Sequence, residues 1–253
     1  MDDGNQRVAL VTGASAGIGR AAALGLADDG FEVVLAGRRK DRLDGVVAER
    51  PHLEGRLVAI QCDVTRPESV SDLFVRLEQR FSRIDLLFNN AGIGARAVPL
   101  EELEIDEWQA VVNTNLTGSF LMARQAMRLM KAQDPRAGRI INNGSVSAHV
   151  PRPYSAPYTA TKHAVTGLTR SICLDGRSHD ICCSQIDIGN ALTDMTAGAG
   201  DGLEQADGRI VPEPVMDVAN VVNTILVIAN MPLDANIPFV TVMANAMPYI
   251  GRG

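Results

Sequence analysis

The chain has 253 residues, 46% of them hydrophobic, and a formal net charge of −6. That is enough for one sizeable core, the acidic balance argues against a nucleic-acid partner, and no apolar run reaches the roughly 18 residues of a membrane span. The polar start from Met1 to Arg7 does not read as a secretory signal, and Cys62, Cys173, Cys182 and Cys183 form no CxxC pair or zinc-ligand spacing, so reduced thiols in a cytoplasmic protein without a metal site are expected.

Val8 to Val11 is a short apolar run, expected as a strand, and a glycine-rich turn leads into a helix over Gly17 to Asp29. Phe31 to Ala36 is apolar again, and Lys40 to about Glu49 is polar and helical. Leu57 to Gln61 reads as a third strand. Pro67 to Phe81 is amphipathic, with Val70, Leu73, Phe74 and Leu77 on one face. Ile84 to Phe88 reads as a fourth strand.

Trp108 to Met130 predicts one long helix, and Arg139 to Asn142 a strand. Tyr158 to Leu174 predicts a helix with Ser155 as cap and Pro157 in its first turn. Ile181 to Ile186, Val215 to Ala229 and Phe239 to Met243 predict a strand, a helix and a last strand. Uniformly apolar strands separated by helices indicate an α/β fold with a parallel sheet covered on both faces. No repeat or long linker divides the chain, so 1–253 reads as one domain. Residues 189–214 hold Gly, Asp and Pro without a clear period, as a lid or binding loop would.

Thr12-Gly13-Ala14-Ser15-Ala16-Gly17-Ile18-Gly19 lies between the first strand and the first helix. Gly13 permits a tight turn, while Gly17 and Gly19 let backbone approach a pyrophosphate and let helix pack on strand. The helix N-terminus then offers free N–H groups to the phosphates. About 20 positions on, where a carboxylate would bind a ribose 2′-hydroxyl, stand Gly37-Arg38-Arg39-Lys40. Arg38 can hold a 2′-phosphate through charge-assisted bonds, and Arg39 can stack on adenine or add charge. An NADP(H) preference follows as the expectation, with NAD(H) as a second cofactor.

Tyr158 and Lys162 are four apart on a predicted helix and share a face. A tyrosine is a poor base at neutral pH, and a nearby ammonium favours its phenolate. Ser145 supplies a hydroxyl donor for a substrate oxygen.

With these residues together, the chain resembles a short-chain dehydrogenase/reductase of the roughly 250-residue form. The Thr12–Gly19 turn is similar to the family's TGxxxGxG, and Asn89-Asn90-Ala91-Gly92 to its NNAG. Asn115, Ser145 and Tyr158-Thr159-Ala160-Thr161-Lys162 fall where the family has its asparagine, its serine and its YxxxK. Asp63-Val64 resembles the pair that contacts adenine; Asn90, Ala91, Gly92, Gly189 and Asn190 are further implied cofactor residues, and Thr193 falls where a threonine meets the nicotinamide carboxamide. The resemblance implies a doubly wound sheet of about seven strands. It also implies Tyr158 as general acid/base, Lys162 binding the nicotinamide ribose, Ser145 polarising the carbonyl, and Asn115 holding a relay water. The implied reaction is hydride transfer between the nicotinamide and a carbonyl or secondary alcohol, with the NADP(H) preference suggesting reduction.

Three departures stand out. The usual Ser-Ser is Gly144-Ser145, the usual Pro-Gly after the sixth strand is Ile188-Gly189, and the tail Met247 to Gly253 lacks an Asp-Gly-Gly segment. That tail either packs on a neighbouring subunit or covers the site. His149, Arg152 and Tyr154 either border the substrate or form a rigid surface loop, and Asp187 reads as a solvated or paired carboxylate. The partner is expected to be a small carbonyl or alcohol, neither nucleic acid nor membrane. Acidic Asp194, Asp201, Glu204, Asp207 and Glu213 disfavour an anionic carrier. Dimers or tetramers through the helices at 108–130 and 158–175 follow from the resemblance. The alternatives are a catalytically silent dinucleotide-binding regulator, an NAD(H)-preferring alcohol dehydrogenase of the same family, and a nucleotide-sugar dehydratase or epimerase, which the chain length disfavours.

Overall fold

All five residues of the first strand, β1 (Val8–Thr12), are buried, as a strand covered on both faces requires. A computed structural model of the chain describes residues 6–193 and 202–250. After β1 come α1 (Gly17–Asp28), β2 (Glu32–Gly37), α2 (Lys40–Ala48), β3 (Leu57–Gln61), α3 (Pro67–Phe81) and β4 (Leu86–Asn89). Then follow α4 (Ile105–Val112), α5 (Gly118–Ala132), β5 (Gly138–Asn143), α6 (Ala156–Gly176), β6 (Ile181–Ile188), β7 (Leu203–Glu204), β8 (Ile210–Val211), α7 (Val218–Ala229) and β9 (Phe239–Val242).

Seven strands form one parallel sheet in the order β3-β2-β1-β4-β5-β6-β9. Alternation along each strand serves two cores. Ala9, Val11, Val33, Leu35 and Phe88 face Leu24 and Leu26 of α1, Leu43 of α2 and Ile225 of α7. Leu10, Val34, Leu87 and Ile140 face Leu73 and Leu77 of α3, Met122 of α5 and Ile172 of α6. This is a Rossmann-type doubly wound fold. Strand order reverses between β1 and β4, so the carboxyl ends of those strands open onto a crevice.

Several boundaries differ from the expected ones. The helix predicted over 108–130 starts earlier, at Ile105, and is broken by a π turn, Asn113–Thr117. There the Asn115 carbonyl accepts the Ser119 hydroxyl at 2.7 Å. α6 begins two residues early. Ser155 occupies its N-cap position but gives its hydroxyl to the Arg152 carbonyl instead of capping, while Pro157 sits in the first turn. α7 begins at Val218, capped by Asp217 accepting the Ala219 N–H at 2.8 Å. β6 extends to Ile188 because β9 pairs with it that far.

The stretch 189–214 is not without structure. β7 and β8 form a small antiparallel hairpin within it. Of its acidic residues, Glu213 is buried and ion-paired with Arg152, and Asp207 pairs with Arg209, so the expected acidic face is largely neutralised among the described residues. Asp194, Asp201 and the end of the tail, 251–253, lie outside the described residues. Among the described residues, no helix is long and apolar enough to cross a membrane.

Candidate active site

β1 ends in Thr12, whose hydroxyl accepts the backbone N–H groups of Asn90 and Ala91, both at 2.9 Å. Asn90 Nδ2 returns a bond to the Thr12 carbonyl, also at 2.9 Å, so the turn after β1 and the end of β4 are stitched together. Gly13 is left-handed, with φ +65°. At Gly19 a Cβ would overlap the Gly13 carbonyl and Asn90 Nδ2, so α1 can approach the turn only with glycine there. Ser15, Ala16, Gly17 and Ile18 line the crevice. No side chain caps α1, which leaves its first-turn N–H groups for a ligand.

The crevice is a cleft of about 480 Å³. At one end Arg38, Arg39 and Arg42 line it, with Arg39 donating to Ser15 Oγ at 3.1 Å. Asp63 is the one carboxylate among its described lining residues, and Asp63 Oδ1 already accepts from the Thr65 N–H and hydroxyl at 3.0 and 2.8 Å. Val64 lines the same wall.

At the other end are Ala91, Gly92, Ile93, Thr114, Asn143, Gly144, Tyr158 and Lys162. Lys162 is buried; its Nζ donates to the Asn143 carbonyl at 2.7 Å and lies 5.3 Å from the centre of the Tyr158 ring. Asn143 Nδ2 donates to Asn90 Oδ1 at 2.8 Å. Ser145 is buried just behind Gly144. Its Oγ accepts the Ser147 N–H at 3.1 Å, which leaves the hydroxyl proton for donation. Ile188, Gly189, Ala191 and Thr193 complete the wall from the end of β6. Ile188, in place of proline, continues that strand opposite Val242.

Besides Ser145, three expected site residues lie behind this wall. Gly19 packs beneath the turn. Asn115, 2% exposed, clamps Ile93, accepting its N–H at 2.8 Å and donating to its carbonyl at 2.9 Å. Asn190 is buried, donating to Glu213 at 2.8 Å and accepting from Arg152 at 3.0 Å. Residues in the wall that the sequence did not single out are Arg42, Thr65, Ile93, Thr114, Asn143 and Ala191. Arg42 stands in the first turn of α2, just after Arg38 and Arg39, and Asn143 directly precedes Gly144-Ser145, the only local signals for either.

The sequence model of the short chain dehydrogenase family matches residues 7–204. A 3β-hydroxysteroid dehydrogenase of Mediterraneibacter gnavus is 37% identical over 182 residues, covering 72% of this chain and 65% of that protein's length. A 3-oxoacyl-[acyl-carrier-protein] reductase of Synechocystis sp. is 40% identical over 191 residues, covering 75% of this chain and 76% of that one. Among solved structures, a metagenomic short-chain oxidoreductase in complex with NADP superposes with a TM-score of 0.78 at 27% identity, over 93% of this chain and 96% of the other. With the sheet order, the stitched turn and the extent of these matches taken together, the chain belongs to the short-chain dehydrogenase/reductase family.

Proposed function

We propose that the chain is an NADP(H)-dependent oxidoreductase that moves a hydride between the nicotinamide and a carbonyl or secondary alcohol. The observation that carries this reading is one continuous cleft. It runs from three arginines and the uncapped start of α1 to Tyr158 and Lys162. The glycine-rich turn and the α1 N-terminus suit a pyrophosphate, and Arg38 and Arg39, joined by Arg42, suit a 2′-phosphate. The absence of a carboxylate in Gly37-Arg38-Arg39-Lys40 supports NADP(H) over NAD(H).

The bound cofactor supplies or accepts the hydride. Tyr158 Oη carries the proton that the substrate oxygen takes up on reduction and gives back on oxidation. The Ser145 hydroxyl donates to the same oxygen and meets the charge that builds on it. Lys162, held by the Asn143 carbonyl, sets a positive charge beside the ring and reaches toward the nicotinamide ribose. Asn115 braces Ile93 at the cleft, and the relay water that the family resemblance assigns to it belongs to the same reading. Asp63, Val64, Asn90, Ala91, Gly92, Gly189 and Thr193 are the remaining cofactor contacts. Exposed Trp108, Phe120 and Leu174 on α4, α5 and α6 support assembly into dimers or tetramers through those helices; a monomer in sedimentation would overturn that part.

The test is loss of NADPH absorbance with wild type beside Tyr158→Phe, against ketones, aldehydes, quinones and 3-oxoacyl thioesters. A signal that vanishes in the variant supports the reading. Silence across the panel, with NADPH binding intact, leaves a substrate outside the panel or a dinucleotide-binding regulator.

A further inference from the structure

We propose that Asp187, held by His149, is a positioning residue for Ser145, and that its carboxylate occupies the space a side chain at position 144 would need. The inference rests on the oxidoreductase reading for its catalytic consequence, though not for its geometry.

Asp187 lies near the end of β6 and is 1% exposed. A buried carboxylate is costly unless hydrogen-bonded, and this one has three donors. Oδ1 accepts the Ser145 backbone N–H at 3.0 Å and Gln185 Nε2 at 2.7 Å. Oδ2 lies 2.8 Å from His149 Nε2, and since an ionised carboxylate only accepts, the imidazole N–H is the donor. The donors come from three segments: the residue after Gly144, β6 itself, and the loop before α6. Gln185 Nε2 also donates to Thr166 at 3.0 Å, and Gln185 Oε1 accepts from Thr169 at 3.2 Å. The carboxylate is therefore linked, through one side chain, to the helix that carries Tyr158 and Lys162.

Gly144 explains the departure from Ser-Ser. A Cβ built there would overlap Asp187 Oδ1 and come within 2.8 and 2.9 Å of the Gln185 side chain. A side chain at 144 would need the Asp187 carboxylate, and to a lesser degree the Gln185 side chain, to move. Asp187 is also adjacent to Ile188 and Gly189, which line the cleft. One carboxylate thus relates the oxygen-holding serine to the cofactor wall on one side and to the tyrosine helix on the other. Displacement of a reacting group by about 1 Å can cost about 10²-fold in rate, so such a tie belongs to catalysis even though it touches no substrate.

The experiment compares His149→Ala, Asp187→Ala, Asp187→Asn, Gly144→Ser and the double variant Gly144→Ser with Asp187→Ala, the last two by their melting temperatures. The readouts are backbone hydrogen exchange over residues 144–149 and steady-state kinetics beside NADPH binding. His149 is 42% exposed at its side chain, so its alanine variant is expected to fold even if Asp187→Ala does not. Expected results are faster exchange over 144–149 in both alanine variants and a kcat loss of about tenfold for His149→Ala and about 10²-fold for Asp187→Ala. NADPH affinity should stay within about twofold. Asp187→Asn keeps an acceptor for the Ser145 N–H and should lose less. Gly144→Ser should lower the Tm less in the Asp187→Ala background than in the wild-type background, because there only the Gln185 contacts at 2.8 and 2.9 Å remain. Exchange and kcat unmoved in His149→Ala, Asp187→Asn no better than Asp187→Ala, or a Gly144→Ser cost in Tm equal in both backgrounds, would overturn the inference. A failed oxidoreductase reading looks different: wild type then shows no Tyr158-dependent turnover, while the exchange measurement still decides whether Asp187 positions Ser145.

Discussion

Lys162 of α6 donates its 2.7 Å hydrogen bond to the backbone carbonyl of Asn143, nineteen residues earlier in the chain and at the end of strand β5. Asn143 in turn donates to Asn90 at the end of β4. The lysine is thus fixed to the same strand ends that stitch the glycine-rich turn in place, with its ammonium 5.3 Å from the Tyr158 ring centre. Lys162→Ala is expected to lower kcat by about 10²–10⁴-fold, the range of a lost acid–base function, and to weaken NADPH binding. Lys162→Arg keeps the charge but not the compact ammonium, and should not restore turnover. Steady-state kinetics with a fluorescence titration of NADPH checks both. Wild-type kcat in the alanine variant would reduce Lys162 to a structural tie.

The proposed NADP(H) preference rests on the arginines that follow β2. Hydrogen bonds to charged groups contribute about 1.5–3 kcal/mol, so Arg38→Ala should lower kcat/KM for NADPH about 10- to 100-fold. The value for NADH should hardly change. The ratio of the two, measured with one carbonyl substrate, is the quantity to follow; an unchanged ratio places the 2′-phosphate elsewhere.

Arg152, Asn190 and Glu213 join the loop before α6, the segment after β6 and the chain beyond the β7–β8 hairpin. Arg152 Nη2 lies 2.5 Å from Glu213 Oε2, with side-chain exposures of 30% and 2%. Removing one partner of a buried pair costs about 3–5 kcal/mol, and the partial exposure of Arg152 puts Glu213→Ala at the low end of that range. For a domain of this size the Tm should fall by about 2–4 °C per kcal/mol. Differential scanning calorimetry decides the point, and a Tm within about 1 °C of wild type would show that solvent compensates the loss.

Cys173 and Cys62 should separate sharply as nucleophiles. Hydrogen bonding to Cys183 and the nearby Arg177 guanidinium pull the Cys173 thiol down to about 7, against the opposing effect of its partial burial. Burial pushes Cys62 up to about 11. The thiolate is the reactive form, so Cys173 alkylation should rise through pH about 7 and level off above it, while Cys62 stays inert at pH 8. Iodoacetamide labelling followed by peptide mass spectrometry reads both sites. Equal rates at pH 8 would contradict the difference in environment.

Much of this site was legible before any coordinates. β1, the glycine turn and α1 follow one another within about twenty residues, and each is announced by local periodicity and turn residues. Tyr158 and Lys162 share a face by their i, i+4 spacing on a helix, and gained weight only in company with the glycine turn, Asn89–Gly92, Asn115 and Ser145. The seven parallel strands followed from apolar runs alternating with helices. Misses cluster where local signals are weak. The π turn at Asn113–Thr117 leaves the apolar pattern of the surrounding helix nearly intact, so one uninterrupted helix was the natural expectation. The hairpin at 203–211 is two residues per strand, too short for a period to register.

By itself, then, the sequence determined the order of strands and helices, the phosphate turn, the basic end of β2 and the Tyr158–Lys162 face. Each of those depends on residues within one or two elements of each other. Only the tertiary structure decided that Asp187 takes Ser145 and His149, that Glu213 takes Arg152 and Asn190, and that Asn115 closes on Ile93. The reason is physical. A buried carboxylate or amide must find donors wherever packing brings them, and those partners lie 42, 38, 61, 23 and 22 residues away along the chain, where no periodicity reaches.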